Sequence, residues 1–307
     1  MTRPRMLASM LLPLSRAVSP DLDWRESCSS TNTELVARAD ELPDLSVLAT
    51  AEQTAGRGRL DRVWSAPPGK ALAVSVLVRH DGVSDSTGYR GVGQDPVHHG
   101  AQTDSPAHHG AALAAAGRPS GTDPRRLGWL PLVAGVAMAR AVRTLGVASA
   151  GVKWPNDVLV DGGAGGPLKL SGILTELTPA GVVIGAGLNL SMTRDELPVP
   201  TATSLALQGV PRDAALADRA LAAYLRELLA LVSEWRAVTD PAALRAVVEP
   251  ELQTLGRAVR VDRPGLPALL GTADALDDDG RLLVRPADPV GGLIAVAAGD
   301  VTHLRYE

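Results

Sequence analysis

Residues 158–160, 170–177 and 182–190 are apolar runs that follow one another with only turns between them. Parallel neighbours need a crossover of a dozen or more residues, whereas antiparallel neighbours are joined by short turns. The spacing therefore predicts hairpin-linked strands, with the Gly-rich stretch 161–167 as a connection. Helical patterns stand on either side: residues 129–145 read as a buried helix closed by Gly146, and 214–235 as a long amphipathic one. Upstream, a helix is predicted to start at Ser30-Thr31-Asn32, ahead of Leu35, Val36 and Ala39. Residues 46–50 read as a short strand, 52–70 as a loop, and 71–79, with Val74, Val76 and Val78 at period two, as a strand. Helices mixed with adjacent hairpin strands, in place of regular βαβ units, predict an α+β fold for residues 1–250.

Two stretches differ in texture. From about Leu255 onward the chain breaks into short runs at 258–261, 269–276, 282–285 and 293–297, with an Asp277-Asp-Asp-Gly turn. Short strands following one another in so few residues predict a small barrel, and hence a second domain over 251–307. Residues 81–127 hold eight glycines, few large apolar side chains and a near-repeat, Pro-Val-His-His-Gly then Pro-Ala-His-His-Gly. Such a stretch buries too little surface to offset its ordering entropy, so it reads as a flexible insertion. His98, His99, His108 and His109 suggest metal binding as an alternative to a solvated loop, but no Cys or acidic cluster completes a site.

Composition narrows the function classes. Thirty basic against thirty-four acidic residues give a net charge of −4, which argues against a dedicated nucleic-acid-binding domain. The lone Cys28 excludes an internal disulfide framework and a cysteine-based zinc site, and reads as a structural thiol because no motif contains a His to activate it. No apolar run approaches the roughly 18 residues that span a bilayer. Residues 6–14 look like a short signal core, but Pro13 interrupts them and no small-x-small site follows, so the cytoplasm is the expected location.

The chain has no Phe and only three Lys and three Asn. Where a chain otherwise favours Arg, a retained Lys marks a place where a point charge works and a fork does not. Lys153, Lys169, Asn32, Asn156 and Asn189 all fall in segments suited to chemistry. Residues 56–64 place Arg57, Arg59 and Arg62 among Gly56 and Gly58 and end in Trp64. Glycine allows close backbone approach and Arg pairs with carboxylate or phosphate. The plainer reading is a solvated basic loop. Three Arg and two Gly in nine residues predict a segment with few partners until an anion arrives. Lys153 precedes a Pro-Asn-Asp turn and could neutralise a carboxylate or phosphate, or sit at the surface. Lys169 opens a strand containing Gly172, and Gly185 and Gly187 precede Asn189. These glycines read either as room for a ligand or as close packing. Neither a P-loop nor a full G-x-G-x-x-G is present.

Taken in order, Ser-Thr-Asn (30–32), Gln-Thr-x-Gly-Arg-Gly-Arg (53–59) ending in Trp64, Lys-Trp-Pro-Asn-Asp (153–157), Lys-Leu-x-Gly-Ile-Leu-x-Glu (169–176) and Gly-x-Gly-x-Asn (185–189) closely resemble biotin–protein ligase, the biotin–[acetyl-CoA-carboxylase] ligase family. The resemblance runs from about residue 27 to the C-terminus, apart from 81–127. It implies a class II synthetase-like mixed sheet flanked by helices, followed by a C-terminal SH3-like β-barrel. It also implies a two-step reaction: biotin and ATP give biotinyl-5′-AMP, and a lysine of the biotin carboxyl carrier protein then takes the biotinyl group. Mg²⁺ is expected with ATP, its ligands unassigned.

By the same resemblance, Ser30, Thr31, Asn32 and Gln53 lie at the biotin head. Residues 56–59 (Gly56, Arg57, Gly58, Arg59) close over the ligand, with Arg57 and Arg59 on the carboxylate and α-phosphate. Arg62 orders the loop or the triphosphate, and Trp64 packs on adenine. Lys153 meets the biotin carboxylate and phosphoryl oxygens, and Lys153, Arg57 and Arg59 are the expected catalytic groups. Asn156, Lys169 and Asn189 line the adenylate side, and Gly172, Gly185 and Gly187 the biotin side. Asp61 departs from the pattern, which commonly has Gly there, and puts loop closure in question. Some members of the family also repress transcription through an N-terminal winged helix. Too few residues precede the first motif for that module, so DNA is not an expected partner. A homodimer is an allowed assembly. The rival readings are a lipoate–protein ligase-like acyl-adenylating transferase and a non-catalytic binding module.

Overall fold

The strand Ala71–Arg79 is buried at all of its first eight positions, as an unbroken apolar run requires when both faces of a sheet are covered. The computed structural model describes residues 12–59, 62–79, 124–263, 265–288, 292–297 and 299–304. The strands of the main sheet are β1 (Asp23–Arg25), β2 (Val47–Thr50), β5 (Ala71–Arg79), β6 (Gly151–Lys153), β7 (Asp157–Val160), β8 (Leu168–Leu177) and β9 (Gly181–Asn189). A separate two-stranded hairpin pairs β3 (Gly56–Arg57) with β4 (Val63–Trp64), inside the segment expected to be loop. The main sheet has the order β1-β2-β5-β9-β8-β7-β6. Among the described strands of this sheet, β1 and β2 pair in parallel and the other neighbours are antiparallel, the hairpin-linked runs as predicted.

The two faces of this sheet have different partners. Leu72, Val74, Val76 and Val78, with Val182, Ile184, Ala186 and Leu188, share one core with the helices α3 (Leu130–Thr144) and α4 (Leu216–Ala237). On the opposite face Leu48, Leu77 and Val183 meet Leu35 of α2 (Thr31–Ala37) and Ala39 just beyond its end. Beyond α2 that face is left with small residues, and this is where a cavity opens. Two further helices are α1 (Pro13–Val18) and α5 (Pro241–Val248), neither of which was expected. The first turn of α1 is held by the buried Asp218, whose carboxylate accepts from Leu14 N and Ser15 N. No helix among the described residues is long and apolar enough to cross a membrane.

The C-terminal residues form a five-stranded antiparallel sheet, β13-β12-β11-β10-β14, from β10 (Ala258–Asp262), β11 (Leu269–Leu276), β12 (Leu282–Pro286), β13 (Ile294–Val296) and β14 (Asp300–His303). Four of these were expected; β14 was not. The turn between β11 and β12 docks on the main body, where Asp278 O accepts from Trp129 Nε1 at 3.0 Å and Gly280 O from Trp154 Nε1 at 3.2 Å.

Residues 80–123, and with them the four insertion histidines, lie outside the described residues. Pro124–Trp129 is a 3₁₀ turn, so residues 124–127, expected to belong to the flexible insertion, are part of the ordered body. Both flanks of the insertion are tied to the end of α4. Arg236 donates to Arg79 O. Arg126 donates to Trp235 O and Val238 O, lies 5.2 Å from the Trp235 ring centre, and accepts from Trp235 Nε1 through its own carbonyl.

Candidate active site

A row of cross-strand neighbours forms the floor of the cavity: Lys153 opposite Asp157, Asp157 opposite Gly172, Gly172 opposite Gly187, and Gly187 opposite Ala73. All five line a cavity of about 880 Å³. The glycines in and beside this row do more than leave room for a ligand. Each receives a side chain of the site itself. A methyl on Gly185 would stand 2.7 Å from Asn32 Cγ, one on Gly187 2.9 Å from Trp64 Cε2, and one on Gly172 3.2 Å from Lys169 Nζ. The sheet surface is thus shaped to seat Asn32, Trp64 and Lys169.

One end of the cavity is polar but uncharged. Gln53 Oε1 accepts from Thr31 N at 2.7 Å and from Thr31 Oγ1 at 3.1 Å. Ser30 caps α2, its side chain accepting from Thr33 N. Asn32 Nδ2 donates to Leu174 O and to Glu176 Oε1, while its Oδ1 accepts from Ser75 Oγ at 2.6 Å. Ser75 and Glu176 therefore fix the orientation of Asn32.

The arginine segment crosses the middle of the cavity, and its side chains have partners. Arg57 Nη2 pairs with both oxygens of Glu176, Arg59 Nη1 donates to Asn156 Oδ1 at 2.8 Å and its Nη2 to Gly299 O at 3.2 Å, and Arg62 pairs with Asp300. The expectation of a cationic segment with few partners is corrected: backbone pairing of β3 with β4 holds the arginines where chain acceptors can reach them. Burial lowers the Arg59 pKa, against the charges of Asp157 and Asp300. Burial pushes the Asp300 carboxyl up, but hydrogen bonding and charge from Arg62, with Lys153 and Arg59, hold it below its ordinary value. Leu60 and Asp61 lie outside the described residues, and the question about Asp61 with them.

Of the sequence-predicted residues, Ser30, Thr31, Asn32, Gln53, Arg57, Gly58, Arg59, Arg62, Trp64, Lys153, Asn156, Lys169, Gly172, Gly185, Gly187 and Asn189 line this one cavity. Gly56 does not. A methyl there would meet Trp64 O at 2.4 Å and Gln53 Nε2 at 2.6 Å, so this position allows the close approach of β3 to β4 and to Gln53. Asn189 is buried, and its amide donates to Thr203 O at 2.8 Å, which anchors the neighbouring wall. Lys169 Nζ is 2.6 Å from Asp157 Oδ1.

Sequence reasoning missed Ser75, Asp157, Glu176, Arg257, Asp300 and His303. Asp157 and Glu176 stood inside quoted motifs and could have been found there. The last three come from the C-terminal sheet and its approach, where no motif pointed. Burial and the charges of Lys153 and Arg257 push His303 down to about 4. Cys28 is buried, with its thiol pushed up to about 11 mainly by burial, which suits a structural thiol. No group of three or more metal-ligating side chains occurs among the described residues. Among the described residues, both carboxylates that line the cavity, Asp157 and Asp300, are engaged by cations.

Comparison with known proteins agrees with this geometry. A family described as "Biotin/lipoate A/B protein ligase family" matches residues 24–89, and "Biotin protein ligase C terminal domain" matches 254–304. The chain is 36% identical over 289 residues to a biotin–[acetyl-CoA-carboxylase] ligase of Mycobacterium tuberculosis, covering 92% of this chain and 89% of that protein. The chain belongs to the biotin–protein ligase family. Another family member, a bifunctional ligase/repressor of Escherichia coli, is 33% identical over 59% of this chain and 42% of its own length. A structure of the Aquifex aeolicus biotin protein ligase in complex with biotin and ATP shares the fold, with a TM-score of 0.65 at 21% identity, over 93% of this chain and 99% of that one.

Proposed function

We infer that the protein is an ATP-dependent biotin–protein ligase, which activates biotin as biotinyl-5′-AMP and transfers it to a lysine of a biotin carboxyl carrier protein. One observation carries the reading: a single cavity runs from an uncharged hydrogen-bonding end, through a belt of arginine and lysine, to the C-terminal sheet. A ureido ring presents two donors and one acceptor without charge, which suits the hydroxyls and amides of Ser30, Thr31, Asn32 and Gln53. A valerate chain can then lie over Gly172 and Gly187 and bring its carboxylate to Arg57, Arg59 and Lys169.

There a carboxylate oxygen attacks the α-phosphorus of ATP, and the bond to the bridging β-oxygen breaks. Arg59 and Lys169 offset the charge that gathers on the α-phosphoryl oxygens, and Lys153 meets the phosphoryl oxygens from the end of the row. In the second step the carrier lysine amine attacks the acyl carbon, loses a proton, and AMP leaves. Trp64 and the arginine segment cover the mixed anhydride and limit its exposure to water. Magnesium enters as part of the ATP substrate, on phosphate and water oxygens.

We read the main sheet as class II synthetase-like and the C-terminal sheet as SH3-like; the meander β10 to β13 with β14 beside β10 supports the latter. We read the enzyme as cytoplasmic, because its reaction needs ATP and a carboxylase carrier. The test is labelling of a purified carrier domain, dependent on biotin and ATP. Pyrophosphate release with biotin is the expected result. Release with lipoate but not biotin would transfer the assignment to the lipoate enzymes, which the matching family also includes.

A further inference from the structure

Most cations of the cavity already have an acceptor within the chain: Arg57 has Glu176, Arg59 has Asn156 and Gly299 O, Arg62 has Asp300, and Lys169 has Asp157. Two at the C-terminal end do not. Among the described residues, Lys153 Nζ makes no hydrogen bond or ion pair. Arg257 donates Nε to Gln253 O at 2.8 Å, and neither of its terminal nitrogens has an acceptor among the described residues.

Backbone geometry brings these groups together. Residues 252–254 run along the outer edge of β6: Val152 bridges Leu252, Gln253 N donates to Val152 O at 2.8 Å, and Trp154 N donates to Thr254 Oγ1 at 2.9 Å. Thr254 Oγ1 lies 3.2 Å from His303 Nε2. The Thr254 hydroxyl accepts from Trp154 N and keeps both its proton and a second lone pair, so it pairs with His303 Nε2 in either tautomer; in the one where Thr254 donates, the imidazole proton is on Nδ1. Burial and the charges of Lys153 and Arg257 favour the neutral form of His303, and the tautomer that takes the Thr254 proton offers its Nδ1–H as a neutral donor beside two cations. The other charged groups at this end are Arg59, Arg62 and Asp300, and Asp300 is paired with Arg62.

We propose that Lys153, Arg257 and His303 form an anion subsite, built jointly by the main and C-terminal sheets, that takes the pyrophosphate released when the adenylate forms. The proposal rests on the ATP-dependent reading above. As the bond between the α-phosphorus and the bridging oxygen breaks, its electron pair stays with the pyrophosphate. Charge therefore grows on the leaving group. Two cations without chain acceptors, with a neutral donor between the sheets, stabilise that charge where it develops.

The full-length chain is titrated with inorganic pyrophosphate and magnesium, without biotin or ATP, by calorimetry and by NMR of the His303 imidazole. Pyrophosphate binds, and the His303 titration midpoint rises by about one unit or more as the anion arrives. Arg257→Ala and His303→Ala each weaken pyrophosphate about tenfold, the scale for one hydrogen bond to a charged group, with biotin affinity unchanged. Arg257→Lys recovers part of the loss. Equal pyrophosphate affinity in wild type and Arg257→Ala, an unmoved His303 midpoint, or a matching loss of biotin affinity in the Arg257 variants overturns the subsite. Carrier labelling without pyrophosphate binding removes the subsite and keeps the ligase reading. Pyrophosphate binding without labelling does the reverse.

Discussion

Arg62 donates to Asp300 across 238 positions of sequence, tying the hairpin over the cavity to the first residue of β14. Both side chains are substantially exposed, so the pair adds only about 0–1 kcal/mol to stability. Its role is placement. Asp300→Asn is expected to leave the thermal midpoint nearly unchanged and to raise escape of biotinyl-AMP several-fold. The measurement is biotinylation of a bystander protein, probed by blotting, beside carrier labelling in the same tube. Bystander labelling at the wild-type level would show that the tie does not hold the cover in place.

Loss of the Lys153 charge acts on chemistry and not on folding. Lys153 is only partly buried and has no ion-pair partner among the described residues, so Lys153→Ala leaves no carboxylate without a counter-charge. Adenylation should fall by about 100-fold, the scale for removing one charge-stabilising donor. Lys153→Arg should not restore it, since the wider guanidinium does not reproduce a point charge in a confined site. Near-normal pyrophosphate release by either variant would remove Lys153 from the reacting centre.

Gly185→Ala and Gly187→Ala should differ in severity. The first pushes on Asn32, which is buried and held by Leu174 O, Glu176 and Ser75; the second pushes on Trp64, which is only partly buried. Overpacking of a fixed neighbour costs about 1–3 kcal/mol. Thermal denaturation and biotin KM should therefore both worsen more for Gly185→Ala. The reverse order would mean that the indole, and not the amide, is the rigid part.

Deleting residues 83–120 with a short Gly/Ser joint should keep carrier labelling within a few-fold, because loop-closure cost changes by only about 0.6 kcal/mol per doubling of length. Extending the deletion through Arg126 should lower the thermal midpoint, since Arg126 caps the end of α4 and stacks on Trp235. Equal stability of the two deletions would contradict that capping role.

His303 gives the fold an acid limb. Its pKa is held down to about 4 in the folded chain, against about 6.5 when exposed. Between those values the unfolded chain takes up a proton that the fold refuses, so this contribution is complete above about 6.5 and is lost as pH falls toward 4. Urea midpoints at pH 7.5 and pH 5 should differ less for His303→Asn than for wild type. Identical differences would place the acid sensitivity elsewhere.

The elements that were legible in the sequence are those whose cause is local. The β8–β9 hairpin and the buried β5 follow from apolar runs and turn residues, and the start of α2 from Ser30. What was missed has a distant cause. The first turn of α1 is held by Asp218, so residues 13–18 carry no cap of their own. Asp300 and His303 reach the cavity only because residues 252–254 run beside β6, a contact with no trace in either segment. Arg57 and Asn32 were recognised as site residues, but the carboxylate that joins them, Glu176, comes from another strand. Sequence spacing points to the chemical groups, whereas their pairing depends on strand register.

That pairing sets how the site responds to its surroundings. An anion reaching Arg57, Arg59 or Lys169 meets a guanidinium or ammonium that already has Glu176, Asn156 or Asp157 as a partner. Its arrival is an exchange of partners, not the neutralisation of bare charge. Affinity for the adenylate then depends on how well the ligand's oxygens replace those acceptors in position. It should vary little with ionic strength and steeply with the geometry of the anion, so this belt acts as a selector of shape more than as an attractor of charge.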